Sequence, residues 1–82
     1  MAATEHVVTL LTRAGCHLCA VAEEQVRVLH AELGFEYREV DVDSSPLLRA
    51  EYSDRVPVVL IDNREHGYWR VEEARFRAAI AR

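Results

Sequence analysis

Cys16 and Cys19 are the two cysteines of this chain, and two residues separate them in the stretch TRAGCHLCAVAEE, residues 12–24. A pair with this spacing can exchange electrons with a disulfide, contribute to a metal site, or pack as two small apolar side chains. Cysteines on one helical turn are also close enough to form a disulfide with each other. The residues around the pair discriminate among these chemistries.

The pair lies at a predicted junction between a strand and a helix. His6–Thr12 is an apolar run typical of a strand, residues 13–15 interrupt it, and a helical apolar rhythm starts at Leu18. Cys16 therefore falls at the helix N-terminus, where free backbone amides and the helix dipole favour a thiolate over a thiol. Cys19 lies further inside the helix on the same face. This arrangement favours a redox pair in which Cys16 attacks and Cys19 resolves.

The remaining hydrophobic patterns predict a β-α-β-α-β-β-α order. The predicted strands cover residues 6–12, 35–43, 56–62 and 68–71, and the predicted helices cover 18–33, a short segment from 46, and 72–82. In this order the first three strands can pair in parallel through helical crossovers, and the fourth adds as an antiparallel hairpin after a turn at 63–67. The sequence therefore indicates an α/β fold with a four-stranded mixed sheet and three helices.

Single residues mark several of these boundaries. Gly34 is expected to be the C-cap of the first helix, and Ser45 and Pro46 are expected to be the N-cap and first residue of the second. The residues of the second helix predicted to face inward are Leu47, Leu48 and Tyr52. In the second strand, the apolar residues before and after Arg38 have opposite phases. We therefore expect a bulge, or a loop that ends before Arg38.

Length and composition limit the classes of function. A chain of 82 residues is expected to form a single domain, residues 1–82. Its formal net charge of −4 and its lack of a basic block argue against nucleic acid or an anionic membrane as the main partner. No apolar run is long enough to span a bilayer, and Met1–His6 lacks the features of a signal peptide. We therefore expect a cytoplasmic protein, in which a close cysteine pair is more often catalytic or metal-binding than structural.

Two stretches of the sequence resemble a known family. TRAGCHLC at the first strand–helix junction and RVPVVLID, residues 55–62, resemble the glutaredoxins, and more closely the short glutaredoxin-like proteins of the thioredoxin superfamily. The resemblance extends over essentially the whole chain and implies a thioredoxin-like fold and a thiol–disulfide oxidoreductase. It also implies that Pro57 follows a cis peptide bond and lies against the reactive cysteine. The backbone of Val56 would then be free to pair with a substrate peptide.

Other residues near these stretches are candidates for substrate binding. The resemblance implies that Arg13 faces a glutathione carboxylate or the Cys16 thiolate, although a solvated loop arginine is equally compatible with the sequence. Arg55, directly before Val56-Pro57, is placed to meet a peptide carboxylate. His17 either stabilises the thiolate as an imidazolium or is an exposed residue at the helix start. Tyr68 and Trp69 either form a wall of the substrate groove or cover the sheet.

The chain departs from glutathione-using members of the family at three places. It has Arg55-Val56-Pro57 where they have Thr-Val-Pro, a single glycine at Gly67 with no aspartate after it where they have Gly-Gly and an Asp, and C-H-L-C where they have C-P-Y-C. These departures leave the electron donor open: glutathione is one candidate cosubstrate, and a thioredoxin-type reductase is the alternative electron donor. The expected partner is a disulfide-containing protein or a glutathione mixed disulfide, acted on by a monomer that requires no resident cofactor.

Two alternatives to a redox enzyme remain. Zinc normally takes four ligands, and Cys16, Cys19 and His17 do not make four, while His6, His30 and His66 are scattered along the chain. Some glutaredoxins hold an iron–sulfur cluster between two subunits with one cysteine from each and glutathione. The resemblance therefore allows, as the first alternative, iron–sulfur cluster or metal binding through Cys16 and, with it, Cys19. The second alternative is a thioredoxin-fold binding module without catalysis.

Overall fold

In the computed structural model, which describes residues 2–82, four strands form one mixed sheet and three helices pack on its two faces. The elements are β1 Val7–Thr12, α1 His17–Leu33, β2 Glu36–Asp41, α2 Pro46–Tyr52, β3 Val58–Ile61, β4 Arg64–Tyr68 and α3 Glu73–Ile80. This order confirms the predicted α/β fold. Met1, the first residue of the predicted domain 1–82 and of the segment Met1–His6, lies outside the described residues.

The strand order in the sheet is β2-β1-β3-β4. β1 and β2 are parallel, from the Val7–Glu36 pair to the Thr12–Asp41 pair, whereas β3 is antiparallel to β1. The prediction that the first three strands are parallel was therefore wrong for β3. α2 has seven residues, about 10 Å of helix, which is too short to return the chain to the other end of the sheet. The chain leaves β2 and enters β3 at the same end.

Both faces of the sheet are covered, and this explains the pattern of β2. One apolar cluster joins the sheet to α1 and α3, and a second joins the opposite face to α2. Tyr37 packs against the first cluster and Val40 against the second, because neighbouring residues of a strand point to opposite faces. Pairing with β1 is continuous through β2. The predicted bulge or loop before Arg38 was wrong, since the two apolar phases belong to two buried faces.

The helix boundaries follow local signals. Gly34 ends α1 with φ 80°, and its amide donates to the carbonyl of His30, as predicted for a glycine C-cap. Ser45 caps α2 by accepting the amide of Leu48 at 3.4 Å. Leu48 packs against the core, but Leu47 is 83% exposed, so its predicted inward orientation was wrong. The two residues are about 100° apart around the helix axis, and only one of them can face the sheet.

The β3–β4 hairpin differs from its prediction. Asp62 and Asn63 both have positive φ, 53° and 66°, and form a two-residue turn of the kind that joins antiparallel strands. β4 therefore starts at Arg64 and ends at Tyr68, and the predicted turn at 63–67 and strand at 68–71 were wrong. Asp and Asn tolerate the left-handed conformation, so the turn does not need the glycine at 67.

Three neighbouring strands bring their loops to one end of the sheet. Leu11, near the end of β1, pairs with Val58 at the start of β3, and Val58 pairs with Tyr68 at the end of β4. The segments 13–16, 55–57 and 69–72 therefore meet at this end, with the N-termini of α1 and α3. Within residues 2–82, no helix combines the length and apolar character that crossing a bilayer requires.

Candidate functional site

Cys16 is the N-cap residue of α1. Its backbone is extended, with φ −92° and ψ 112°, and its Sγ accepts a hydrogen bond from the amide of Cys19 at 3.2 Å. Its own carbonyl accepts the amide of Ala20. A sulfur anion accepts a hydrogen bond more strongly than a neutral thiol does, and the positive end of the helix dipole adds to the effect. The half-buried Cys16 sulfur is thus placed where a thiolate is stabilised.

Cys19 lies one turn further into α1 and is 2% exposed. Burial raises the pKa of the Cys19 thiol to about 12, with smaller contributions from its hydrogen bond and its electrostatic interaction with Cys16. At neutral pH Cys19 is therefore protonated. Both cysteines are free thiols. The Cys16 sulfur is thus partly accessible at the start of α1, whereas the Cys19 sulfur is buried beneath the surface.

An open cleft of about 520 Å³ lies beside Cys16. Its lining residues are Thr12, Arg13, Ala14, Gly15, Cys16, His17, Ala20, Glu23 and Asp41. Sequence reasoning missed the two carboxylates. The signal for Asp41 was its position at the end of β2, because parallel neighbouring strands end at the same edge and Asp41 pairs with Thr12.

The predicted binding residues near Cys16 differ in how freely they can meet a ligand. Arg13 lines the cleft, but its Nε donates to Oδ2 of Asp43 at 3.0 Å. Arg49 approaches the same carboxylate, with Nε 3.2 Å from Oδ1. His17 is exposed on the cleft as the first residue of α1. The effect of His17 on the thiolate and the contact of Arg13 with a substrate carboxylate stay predictions.

The segment before β3 has the conformation that the resemblance implied. The Val56–Pro57 peptide bond is cis, and Pro57 is buried with its carbonyl accepting the amide of Trp69 at 2.7 Å. Among the hydrogen bonds of residues 2–82, none involves the backbone of Val56. That backbone is available for pairing with a peptide, and its use by a substrate stays a prediction.

Arg55 is directed toward the protein. Its guanidinium donates to the carbonyl of Glu51 at 2.8 Å, lies 3.5 Å from the Glu65 carboxylate, and sits 5.4 Å from the ring centre of Tyr52. Its predicted contact with a peptide carboxylate would compete with these acceptors. Arg55 does not line the cleft beside Cys16.

A second cleft, of about 540 Å³, lies between β4 and the start of α3. Its lining residues are Val59, His66, Gly67, Tyr68, Trp69, Arg70, Val71, Glu72 and Arg75. The rings of Tyr68 and Trp69 meet edge to face, with their centres 5.0 Å apart. Both side chains are exposed and line this cleft, and their role as a wall of a substrate groove stays a prediction.

The histidines lie in separate surroundings. His6 contacts Asp62 and the carbonyl of Arg82, and Nδ1 of His30 contacts the carbonyl of Phe35 at 2.6 Å. Across residues 2–82, no three His, Cys, Asp or Glu side chains are grouped as metal ligands would be.

Comparison with known proteins agrees with the geometry. The sequence model of the "Glutaredoxin-like domain (DUF836)" family matches residues 7–81. An uncharacterized protein of Mycobacterium tuberculosis is 55% identical over 80 residues, which cover 92% of this chain and 82% of that protein. The solution structure of protein Ne2328 from Nitrosomonas europaea has a TM-score of 0.79 and 28% identity, covering 90% of this chain and 89% of that one. A thioredoxin from Fasciola hepatica shares the fold, with a TM-score of 0.69, 24% identity, and coverage of 94% and 79%.

Proposed function

The chain belongs to the glutaredoxin-like domain family, and we propose that it is a thiol–disulfide oxidoreductase in which Cys16 attacks and Cys19 resolves. The observation that best supports this proposal is the asymmetry of the two sulfurs. The Cys16 sulfur accepts the Cys19 amide at the start of α1, whereas the Cys19 sulfur is buried one turn below. A pair of packing residues would not need one sulfur in the N-cap position.

In the first step, the Cys16 thiolate attacks one sulfur of a substrate disulfide. A bond forms between Cys16 and that sulfur, the substrate S–S bond breaks, and the other substrate sulfur leaves as a thiolate. The helix end lowers the cost of holding the attacking charge. Cys19 does not compete in this step, because its raised pKa keeps it protonated.

In the second step, Cys19 attacks the Cys16 sulfur of the mixed disulfide. Once Cys16 is bonded to the substrate it has no negative charge, so two of the causes that raise the Cys19 pKa disappear and only burial continues to raise it strongly. Cys19 gives up its proton, the Cys16–Cys19 disulfide forms, and the second substrate sulfur leaves and takes up a proton. The substrate gains two electrons and the protein loses two.

Reopening the Cys16–Cys19 bridge requires two electrons from a thiol. We propose glutathione or the dithiol of a thioredoxin-type reductase as the donor, and a reducing compartment such as the cytoplasm as the place of action. The substrate is a protein disulfide or a glutathione mixed disulfide. The chemistry uses only the two sulfurs, so the proposal includes no resident cofactor.

Serine variants of each cysteine test the mechanism. Cys16→Ser should abolish reduction of a peptide disulfide in the presence of dithiothreitol, whereas Cys19→Ser should accumulate a protein–substrate mixed disulfide visible by intact-mass spectrometry. Ala31→Ser is the matched control, because Ala31 is an exposed residue of α1 that does not line the cleft, and its activity should equal that of the unmodified protein. Full activity in Cys16→Ser would refute the mechanism.

A further inference from the structure

Trp69 has a backbone conformation that bulky residues rarely adopt. Its φ is 70°, in the left-handed region that normally favours glycine. Among residues 2–82, the other non-glycine residues with positive φ are Asp62 and Asn63, which form the tight β3–β4 turn. Trp69 lies outside that turn, after the end of β4. Such strain persists only where surrounding contacts hold it, and it is concentrated at ligand sites and switches.

Two hydrogen bonds and one ring hold Trp69 in place. Its amide donates to the carbonyl of Pro57 at 2.7 Å, and its indole N–H donates to the carbonyl of Asp54 at 3.4 Å. The ring of Tyr68 meets the indole edge to face. In spite of these contacts the Trp69 side chain is 54% exposed. The strain therefore maintains an exposed aromatic surface rather than filling the core.

This surface lies at the end of the sheet that also holds Cys16. Trp69 follows β4, Pro57 precedes β3, and Cys16 follows β1, in three adjacent strands that pair at Leu11, Val58 and Tyr68. Two strand spacings of about 4.8 Å separate β1 from β4, a lateral distance of about 10 Å. An extended chain covers about 3.3 Å per residue. A substrate peptide that crossed the strand ends from Cys16 past Pro57 would span this lateral distance with its second or third residue from the cysteine.

The charged groups near Trp69 have protein partners. Arg70 lies 3.7 Å from the Glu72 carboxylate, and Arg75 donates to the carbonyl of His66 at 2.6 Å. Arg55 contacts acceptors on α2 and β4. The two carboxylates of glutathione would have to displace these acceptors. The surface that is already free is aromatic, and the cleft beneath it has the apolar side chains of Val59 and Val71.

We propose that Trp69, with Tyr68, determines specificity by docking an apolar side chain of a polypeptide whose disulfide Cys16 attacks. The docked side chain is two or three residues from the substrate cysteine. This inference rests on the proposed oxidoreductase function and names its substrate class, a protein disulfide with an apolar neighbour rather than glutathione disulfide. Burial of one such side chain against the indole is expected to favour that peptide about tenfold, equivalent to about 1.4 kcal/mol.

Trp69 is the sole tryptophan of the chain, so its fluorescence reports directly on docking. The Cys19→Ser variant would be treated with two peptides, each with one cysteine activated as a pyridyl disulfide. One peptide has Leu, and the other has Ser, at the second and third positions on both sides of the cysteine, and the peptides are otherwise identical. Cys16 attacks the peptide sulfur and thiopyridone leaves, so the mixed disulfide forms whether or not the protein turns over natural substrates. We expect the Leu adduct to show blue-shifted emission and protection from acrylamide quenching. Identical emission of the two adducts would overturn the inference.

Rates provide the second test. The Leu peptide should form its adduct about tenfold faster than the Ser peptide, and Trp69→Gly, which removes the indole but accepts positive φ, should abolish that preference. Leu47→Ser is the matched control, because it removes an exposed apolar side chain on α2 and should leave the preference intact. Equal slowing of both peptides by Trp69→Gly would show a merely structural role. Loss of disulfide reduction in the unmodified protein would instead refute the proposed function, independently of these adducts.

Discussion

The most direct test of the sulfur asymmetry is the reactivity of Cys19 after Cys16 is replaced by serine. Serine caps helices well, so Cys16→Ser should preserve α1. With a pKa of about 12, Cys19 is ionised in a fraction of about 10⁻⁵ at pH 7, against about 3% for an ordinary thiol of pKa about 8.5. The ionised fraction of Cys19 is therefore smaller than that of an ordinary thiol by a factor of about 3,000. The substitution removes the hydrogen bond and charge of Cys16 but leaves burial, the largest cause, so we expect at least about a 100-fold suppression to remain.

The assay is alkylation by iodoacetamide at pH 7, followed by intact-mass spectrometry. Folded Cys16→Ser protein should be alkylated at Cys19 at least about 100 times more slowly than the same protein in guanidinium chloride, where the thiol is exposed. The Cys19→Ser variant is the control, and its Cys16 should react readily in the folded state. If folded and denatured Cys16→Ser proteins reacted at similar rates, burial would not protect Cys19. The assignment of attacking and resolving roles would then lose its physical basis.

Two further predictions concern charges away from the sulfurs. Asp62→Asn should lower the free energy of unfolding by about 1 kcal/mol near pH 5.5, because it removes the charge-assisted bond to His6 at 2.6 Å, discounted for the 43% exposure of the Asp62 side chain. Hydrogen bonds to Asp62 and to the carbonyl of Arg82 raise the His6 pKa, and hydrogen bonds from the Val7 amide and from His6 lower the Asp62 pKa. The difference in unfolding free energy between variant and unmodified protein, measured by urea titration, should therefore fade as pH rises through the folded His6 pKa or falls through the folded Asp62 pKa. A pH-independent difference would contradict this. Asp43→Asn should release Arg13 and raise the rate constant with which glutathione reduces the oxidised protein by about two- to fivefold. An unchanged rate constant in a coupled glutathione assay would exclude Arg13 from binding the glutathione carboxylates.

Features that depend on neighbouring residues along the chain were predictable from sequence. The N-terminal position of Cys16 and the glycine cap at Gly34 follow from backbone requirements within one helical turn. The direction of β3 was not predictable in this way. It depends on whether the connection from β2 crosses the length of the sheet, and α2 proved too short for that crossing.

In the candidate site, too, the residues in local motifs were predictable from sequence, whereas contacts between distant segments were not. Cys16, Cys19 and Pro57 were identified from two short motifs, and the structure describes the surroundings of each. The ion pair between Arg13 and Asp43 joins residues 30 positions apart, and only the register of β1 with β2 brings them together. The left-handed conformation of Trp69 likewise depends on the Pro57 carbonyl, a partner from a different segment.

In the proposed mechanism the helix end that activates Cys16 would also bias the redox equilibrium of the pair. The hydrogen bond from the Cys19 amide stabilises a sulfur anion, and that anion exists only in the reduced protein and is lost when the sulfur enters a disulfide. Stabilising the reduced form makes a cysteine pair a stronger oxidant, because the free energy gained on reduction increases. Burial of Cys19 does not oppose this effect, since its sulfur is neutral in both the thiol and the disulfide. In the proposed mechanism the same cap would therefore favour attack on a substrate and make the resulting bridge easier for a thiol donor to reopen.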